Sequence, residues 1–71
     1  MAAITVTEDI NHFIYVTVFV PFRESARYVG HKAAGAARKY AGGKVHRITS
    51  GGTSHGNGDW DFTYTYTRAT K

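Results

Sequence analysis

Four histidines are the residues of this chain best suited to binding a metal ion or exchanging a proton near neutral pH. They are His12, His31, His46 and His55. The surrounding sequence places them on a turn, a helix, a strand and a loop, without the i, i+4 spacing that preforms a metal site. Cysteine is absent, which removes thiolate catalysis and every zinc site that needs a cysteine. We therefore predict no metal site and no cofactor.

Two further segments contain groups that catalyse reactions in other proteins. Asp59 and Asp61 flank Trp60 and offer a ledge for a divalent cation, but carboxylates beside threonines on an exposed strand are usually solvated. The run SGGTSHGNG, residues 50–58, resembles a phosphate cradle, yet no lysine follows in P-loop spacing and no helix begins there. A serine nucleophile in this run would need His46 or His55 and a third group held rigidly. We expect a flexible hairpin loop and no catalytic residues, so the protein is not predicted to be an enzyme.

Basic residues are the remaining candidates for binding a partner. The formal charge is +4 and the isoelectric point is about 9.7, which favours acidic partners. One side of a predicted helix carries Arg27, His31, Lys32, Arg38 and Lys39. These residues are spaced to follow phosphates over about four helical turns. The alternative is a solvated helix side on which acids are scarce.

The helix that positions these cations is predicted to run from about Ala26 to Ala41. Ser25 is a candidate N-cap, and Gly42 and Gly43 end the helix. The apolar stripe consists of Ala26, Val29, Ala33, Ala36, Ala37 and Tyr40. Because this stripe is mostly alanine, the helix can approach a sheet closely, and bulky side chains must come from the sheet.

Alternating residues predict the strands of that sheet. In residues 13–20, Ile14, Val16, Val18 and Val20 share one face, and Phe13, Tyr15, Thr17 and Phe19 share the other. Residues 4–7 alternate as well and form either a hairpin with this strand or its bent beginning. In residues 58–68 the sequence places Trp60, Phe62, Tyr64 and Tyr66 together, with Asp59, Asp61, Thr63, Thr65 and Thr67 opposite. We expect the four aromatic rings to lie under the helix, with Trp60 and Tyr64 beneath Ala33 and Ala37.

The register of residues 44–50 is harder to predict, because Val45 and Ile48 face one side only if a bulge or a short strand intervenes. The loop that follows has two alternatives. A tight turn at Asn57-Gly58 gives a long ribbon, whereas a wide loop over residues 51–58 pairs Ile48 near Trp60. We favour the wide loop because it buries Ile48.

These elements predict an α+β protein: a single small βαββ domain over residues 1–71. Its antiparallel or mixed sheet has three strands, or four if residues 4–7 form one, with one helix packed on one face. A right-handed crossover makes the two strands that flank the helix parallel, with the last strand between them. The uncovered face carries Phe13, Tyr15, Phe19, the threonine row and Arg47, and we expect it to meet another chain. At this length a core is thin, which makes a homodimer one way of supporting it.

The N-terminal sequence MAAITVTEDI lacks the basic and apolar regions of a signal peptide. We therefore expect a cytoplasmic protein without membrane partners. Stacking of single-stranded bases is a further role for aromatic residues on a sheet. It is disfavoured here because the strongest aromatic row is expected to lie beneath the helix.

The segment from Ser25 to Tyr66 resembles small phage-encoded anti-CRISPR proteins with a strand-helix-strand-strand core. The similarity rests on the alanine-rich helix ending at Tyr40, on Gly43, on the run of Val45, Arg47, Ile48 and Ser50, and on Asn57-Gly58 followed by Trp60. It covers about three fifths of the chain, and the longer glycine loop and the Thr/Tyr strand depart from it.

The resemblance implies a viral protein in the host cytoplasm that inhibits a host defence nucleoprotein complex without catalysis. The predicted partner-binding residues are Arg27, His31, Lys32, Arg38, Lys39, Arg47, Phe13, Tyr15 and Phe19. Two alternatives stay open. One is a small basic regulatory protein that binds nucleic acid directly, and the other is an oligomeric structural or small-ligand module.

Overall fold

The computed structural model of the chain describes residues 3–24 and 27–69. The elements, in order, are β1 (Ala3–Glu8), β2 (Ile14–Val20), α1 (Val29–Ala41), β3 (Val45–Ser54) and β4 (Trp60–Arg68). The strands form one antiparallel sheet in the order β1-β2-β4-β3. The predicted α+β fold is confirmed, and so is the position of the last strand between β2 and β3.

The N-terminal strand forms a hairpin with β2, which decides between the two alternatives at residues 4–7. Asp9 shapes the turn. Its Oδ1 accepts the backbone N–H groups of Asn11 and Phe13, each at 2.9 Å, and its Oδ2 accepts the Tyr15 hydroxyl at 2.7 Å. His12 takes a left-handed conformation (φ 69°) to close the turn. Short polar side chains that bond the backbone two or more residues ahead are typical of such turns.

The core lies between α1 and one face of the sheet. The aliphatic row of β2 is buried there as predicted, beneath the helix residues Val29, Ala33 and Ala37. Tyr64 and Tyr66 of β4 complete the layer. A methyl group at Gly30 would come within 3.9 Å of the Tyr64 hydroxyl, so the small helix residues do allow the close approach that the sequence predicts. The members of the aliphatic row are Ile14, Val16, Val18 and Val20.

The predicted start of the helix is wrong. Arg27 and Tyr28 form a turn, and the Tyr28 carbonyl accepts the first helical bond from Lys32, so α1 begins at Val29. The predicted N-cap Ser25 and the predicted first residue Ala26 lie outside the described residues. The predicted end is confirmed, because Gly42 takes the left-handed C-cap conformation (φ 77°) and donates to the Arg38 carbonyl.

The helix covers only part of the aromatic row: Phe62 packs against the core but Trp60 does not, which corrects the prediction for Trp60. Thirteen residues of α1 span about 20 Å, whereas nine residues of β4 span about 30 Å. Tyr64 and Tyr66 are buried, Phe62 is half-buried, and Trp60 is 41% exposed and lies outside the core. Tyr40, expected in the buried stripe, is also 47% exposed because it lies in the last turn of α1.

Strand β3 is longer than predicted. It continues through Gly51 and Gly52 to Ser54, which pairs with Trp60, and the His55 N–H bonds the Asp59 carbonyl. The connection to β4 is therefore shorter than the preferred wide loop over residues 51–58, and it is not the two-residue turn at Asn57-Gly58 either. The expected irregularity is present as a bulge between Arg47 and Thr49. The bulge leaves Ile48 half exposed and far along the ribbon from Trp60, so the predicted burial of Ile48 is wrong.

The bulge also decides which face Arg47 occupies. Arg47 lies opposite Tyr66, and residues directly opposite in an antiparallel pair point to the same face. Arg47 therefore lies on the helix side of the sheet and not on the uncovered face, as the sequence had suggested. One extra residue shifts the alternation and reverses the face of every residue before it.

Candidate functional site

The basic side of α1 is the first candidate surface. We use this name for Arg27, His31, Lys32, Arg38 and Lys39, all of which are exposed as predicted. Arg27 belongs to the turn before the helix, and the other four lie on α1 itself. Arg38 and Lys39 occupy the last turn, where positive charge is also favourable for the helix dipole.

The helix itself supplies no negative charge to this surface, and three carboxylates of the sheet and its turns have partners of their own. The sequence of α1, residues 29–41, contains no Asp or Glu. Glu8 bonds Arg68, and Asp61 Oδ2 lies 2.8 Å from His55 Nε2. Asp59 Oδ1 accepts the Phe22 backbone N–H at 2.6 Å. The positive charge of the helix is therefore not neutralised by acids within the helix.

Glu8 joins three elements at one end of the sheet. Its carboxylate accepts two hydrogen bonds from the Arg68 guanidinium, at 2.6 and 3.3 Å, and one from the Tyr40 hydroxyl at 3.0 Å. His12 Nδ1 lies 3.1 Å from the same carboxylate. The Arg68 guanidinium also lies 5.8 Å from the centre of the Tyr40 ring. These bonds, that of Arg68 foremost, lower the pKa of Glu8 from 4.5 to about 2.

The low pKa of Glu8 predicts sensitivity to acid. A carboxylate whose pKa is lower in the folded state stabilises the fold above its unfolded pKa, and this contribution is lost as pH falls toward the folded value. We expect the urea midpoint to fall between about pH 5 and pH 2, and to fall less steeply in Glu8→Gln. Asp9, whose pKa is lowered by the Tyr15 hydroxyl, leaves some slope in the variant. Parallel pH dependences in the two proteins would contradict this role for Glu8.

The uncovered face of the sheet is rich in threonine. Every threonine in the described residues lies on it by register: Thr5, Thr7, Thr17, Thr49, Thr53, Thr63, Thr65 and Thr67. Tyr15 and Phe19 lie among them and are half-buried, as is Phe13 just before β2. The Tyr15 hydroxyl is bonded to Asp9, and the Phe19 ring lies 6.2 Å from the His55 ring. Neighbours within the domain therefore cover part of the aromatic surface that we expected to meet another chain.

A third surface, which was not predicted from the sequence, lies on the helix side of the sheet. It is at the end of the sheet near Trp60, beyond the N-terminal end of α1. The rings of Trp60 and Phe62 stack there, with centres 5.7 Å apart and planes 13° from parallel. Gly52 lies beneath them, since a methyl group at this position would be 3.1 Å from two Phe62 ring carbons and 3.5 Å from Trp60. Exposed Phe22 lies at the same end of the sheet, with its ring against Gly58. This surface could have been predicted by comparing the lengths of α1 and β4, since the longer strand extends beyond the helix.

Two guanidinium groups approach the opposite end of the aromatic row. Burial raises the pKa of the Tyr66 hydroxyl and the nearby Tyr64 adds to this, while the charges of Arg47 and Arg38 act in the other direction. Arg47 belongs to β3 and lies opposite Tyr66 in the register, whereas Arg38 belongs to α1. Charges from two elements that the sequence assigned to different faces thus act on the same tyrosine hydroxyl.

His55 and Ser54, the neighbouring histidine and serine at the turn between β3 and β4, lie on different faces of the sheet. His55 is oriented by Asp61, but Ser54 pairs with Trp60 on the other face, and its Oγ accepts the Gly56 N–H at 3.2 Å. Within residues 3–24 and 27–69, no group of three or more metal-ligating side chains is present. The same residues contain no enclosed pocket.

Comparisons of the chain with protein-family models, with curated proteins and with solved structures give no match. The resemblance to anti-CRISPR proteins stays a prediction. No helix in the described part of the chain has the length and apolar character needed to cross a membrane.

Proposed function

We propose that the protein is a non-enzymatic inhibitor of the phage type. It binds an acidic surface of a host defence nucleoprotein complex through the basic side of α1, and so blocks access to that surface. The observation that carries this proposal is the charge of α1: its cations are exposed, and the helix contains no Asp or Glu. A surface of this kind is complementary to nucleic acid and to the acidic proteins that imitate it.

The number of cations favours a complex over bare duplex DNA as the partner. Four of the five basic residues are Lys or Arg, and at about 0.9 per phosphate contact they give a salt dependence with a slope of at most about −4 in log K against log salt. Phosphate contacts alone give weak binding at physiological salt, because their energy comes from released counterions. We expect the affinity for naked duplex to be no tighter than about micromolar. Contacts with a protein component supply the remaining energy and resist salt.

The test is a double charge reversal on the basic side of α1. Arg38→Glu combined with Lys39→Glu is expected to abolish inhibition, with a reduction in partner affinity of at least about 100-fold, since attractive contacts become repulsive. Both side chains are exposed, so the fold should persist, as judged by circular dichroism. The matched control exchanges the two residues, Arg38→Lys with Lys39→Arg. It keeps the charge and is expected to retain most activity.

Two results would contradict the proposal. Full activity of the double charge reversal would remove the basic side of α1 from the function. Nanomolar, sequence-selective binding to naked duplex would favour a regulatory nucleic-acid-binding protein over an inhibitor.

A further inference from the structure

Part of the helix side of the sheet is left uncovered by α1 and forms a shelf. We define the shelf as Arg47, Ser50, Gly52 and Ser54 of β3 together with Trp60 and Phe62 of β4, which share this side by register. The four β3 residues are exposed, Trp60 is 41% exposed, and Phe62 is half-buried. The shelf arises because the helix is about 10 Å shorter than β4 and covers only the Tyr64 and Tyr66 end.

The shelf offers an aromatic surface at one end and small side chains along its length. Trp60 and Phe62 are stacked against each other, which fixes their planes, and Gly52 supports them from the neighbouring strand. Between these rings and Arg47, the register places Ser54, Gly52 and Ser50 of β3 on this side, and Ile48 lies in the bulge next to Arg47. The distance from the register of Trp60 to that of Arg47 is about 20 Å along the strand.

Charge along the shelf favours an anionic ligand. Arg47 lies on the shelf opposite Tyr66, and the charge of Arg38 on α1 also acts on the Tyr66 hydroxyl. The two carboxylates next to Trp60 in the sequence are engaged elsewhere. Asp61 lies on the uncovered face beside His55, and Asp59 accepts the Phe22 N–H. A ligand that stacks on the rings therefore meets positive charge further along the strand.

We propose that the shelf binds single-stranded nucleic acid, with an unpaired base stacked on Trp60 and the backbone running along β3 toward Arg47 and Arg38. Flat faces of bases and exposed rings attract each other regardless of base identity, and guanidinium groups pair with phosphates. A duplex hides the faces of its bases, so it lacks the stacking contact. The shelf shares no residue with the basic side of α1, although the proposed path of the nucleic-acid backbone also approaches Arg38. This inference does not depend on the proposed inhibitor function.

The chain contains its own probe of this site, because Trp60 is its single tryptophan. The experiment titrates the full chain with a single-stranded oligothymidylate of about twelve nucleotides while the Trp60 fluorescence is recorded. Base stacking is expected to quench this fluorescence in a saturable way. The same strand paired with oligoadenylate is expected to bind more weakly and to leave the fluorescence largely unchanged.

Two pairs of variants locate the site, with affinity measured by anisotropy of a labelled strand. Trp60→Leu is expected to weaken binding by about 5- to 150-fold through the loss of one stacked base, whereas Trp60→Phe keeps a ring and most of the affinity. Arg47→Gln is expected to reduce the salt slope by about 0.7. Its charge-matched control, Lys39→Gln, removes a cation outside the shelf and is expected to preserve the Trp60 quenching.

Several outcomes would overturn the inference. They are the absence of saturable quenching, equal quenching by the duplex or by polyglutamate, and unchanged affinity in a folded Trp60→Leu variant. Equal quenching by polyglutamate would assign the shelf to an acidic peptide. The inhibitor proposal would survive each of these results, because it is tested by the charge reversal at positions 38 and 39.

Discussion

Replacing Ala33 with leucine is expected to lower the free energy of unfolding by about 1–3 kcal/mol. Ala33 is completely buried at the centre of the helix stripe, against a layer formed by β2 and the tyrosines of β4. The backbone of α1 lies close to this layer because its buried residues are small. Three additional carbon atoms therefore have no space unless the helix lifts or the tyrosine rings move. Urea unfolding followed by circular dichroism measures the change.

Lys32→Leu is the matched control for this prediction. It introduces the same side chain one residue earlier in α1, at an exposed position, and lysine and leucine have similar helix propensities. We expect its stability to change by less than about 0.5 kcal/mol. Equal stability of Ala33→Leu and the wild type would show that α1 does not lie as close to the sheet as described.

The second large effect is expected at the turn between β3 and β4. Gly58 has φ 97°, which side chains rarely tolerate, and a methyl group there would lie 2.1 Å from a ring carbon of Phe22. We expect Gly58→Ala to destabilise the protein by about 2–3 kcal/mol through backbone strain and displacement of the ring. Gly56 has φ 84° but nothing within 4 Å, so Gly56→Ala should cost about 1 kcal/mol.

A double-mutant cycle separates the two causes at Gly58. In a Phe22→Ala background the collision is removed and only the backbone strain remains. We expect the cost of Gly58→Ala to fall to about that of Gly56→Ala. If the cost is the same with and without the Phe22 ring, the ring does not pack against this glycine.

The packing of α1 on the sheet could be predicted because the sequence shows a two-residue period in β2 and a helical period in α1. Alternation in residues 13–20 identifies the buried face of β2, and the helical stripe around Ala33 and Ala37 identifies its partner. The end of the helix was equally predictable, since a glycine pair stops a helix by a local mechanism. These features depend on interactions within a few residues of the chain.

The errors arose where distant parts of the chain decide the outcome. The wide loop is favoured in the sequence because it would bury Ile48 near Trp60, and consecutive glycines at 51 and 52 normally weaken a strand. The strand persists because the Phe62 ring covers Gly52 from β4, a compensation visible only once the register is known. The same register, shifted by the bulge after Arg47, placed that arginine beside Tyr66 instead of on the uncovered face.

In the candidate functional site, the exposure of the helix cations was predicted, but the exposure of Trp60 was not. Exposure of the helix cations follows from the helical period alone, and it is confirmed for Arg38 and Lys39 among others. Exposure of Trp60 depends on the relative lengths of α1 and β4 and on where the helix begins. The helix began three residues later than the sequence indicated, which shortened the cover over the sheet.

The two ends of the sheet are secured by different means. At one end Glu8 connects β1 to Arg68 of β4 and to Tyr40 of α1. At the other end β3 is the edge strand of the sheet, and its residues from Ser50 to Ser54 are exposed. An edge strand of this kind contributes little buried apolar surface and can open without separating the core. Amide hydrogens near Gly52 should therefore exchange with solvent through local opening, long before global unfolding exposes those of β2. A ligand that lies along this part of β3 would slow their exchange, so binding and local order at this end of the sheet are coupled.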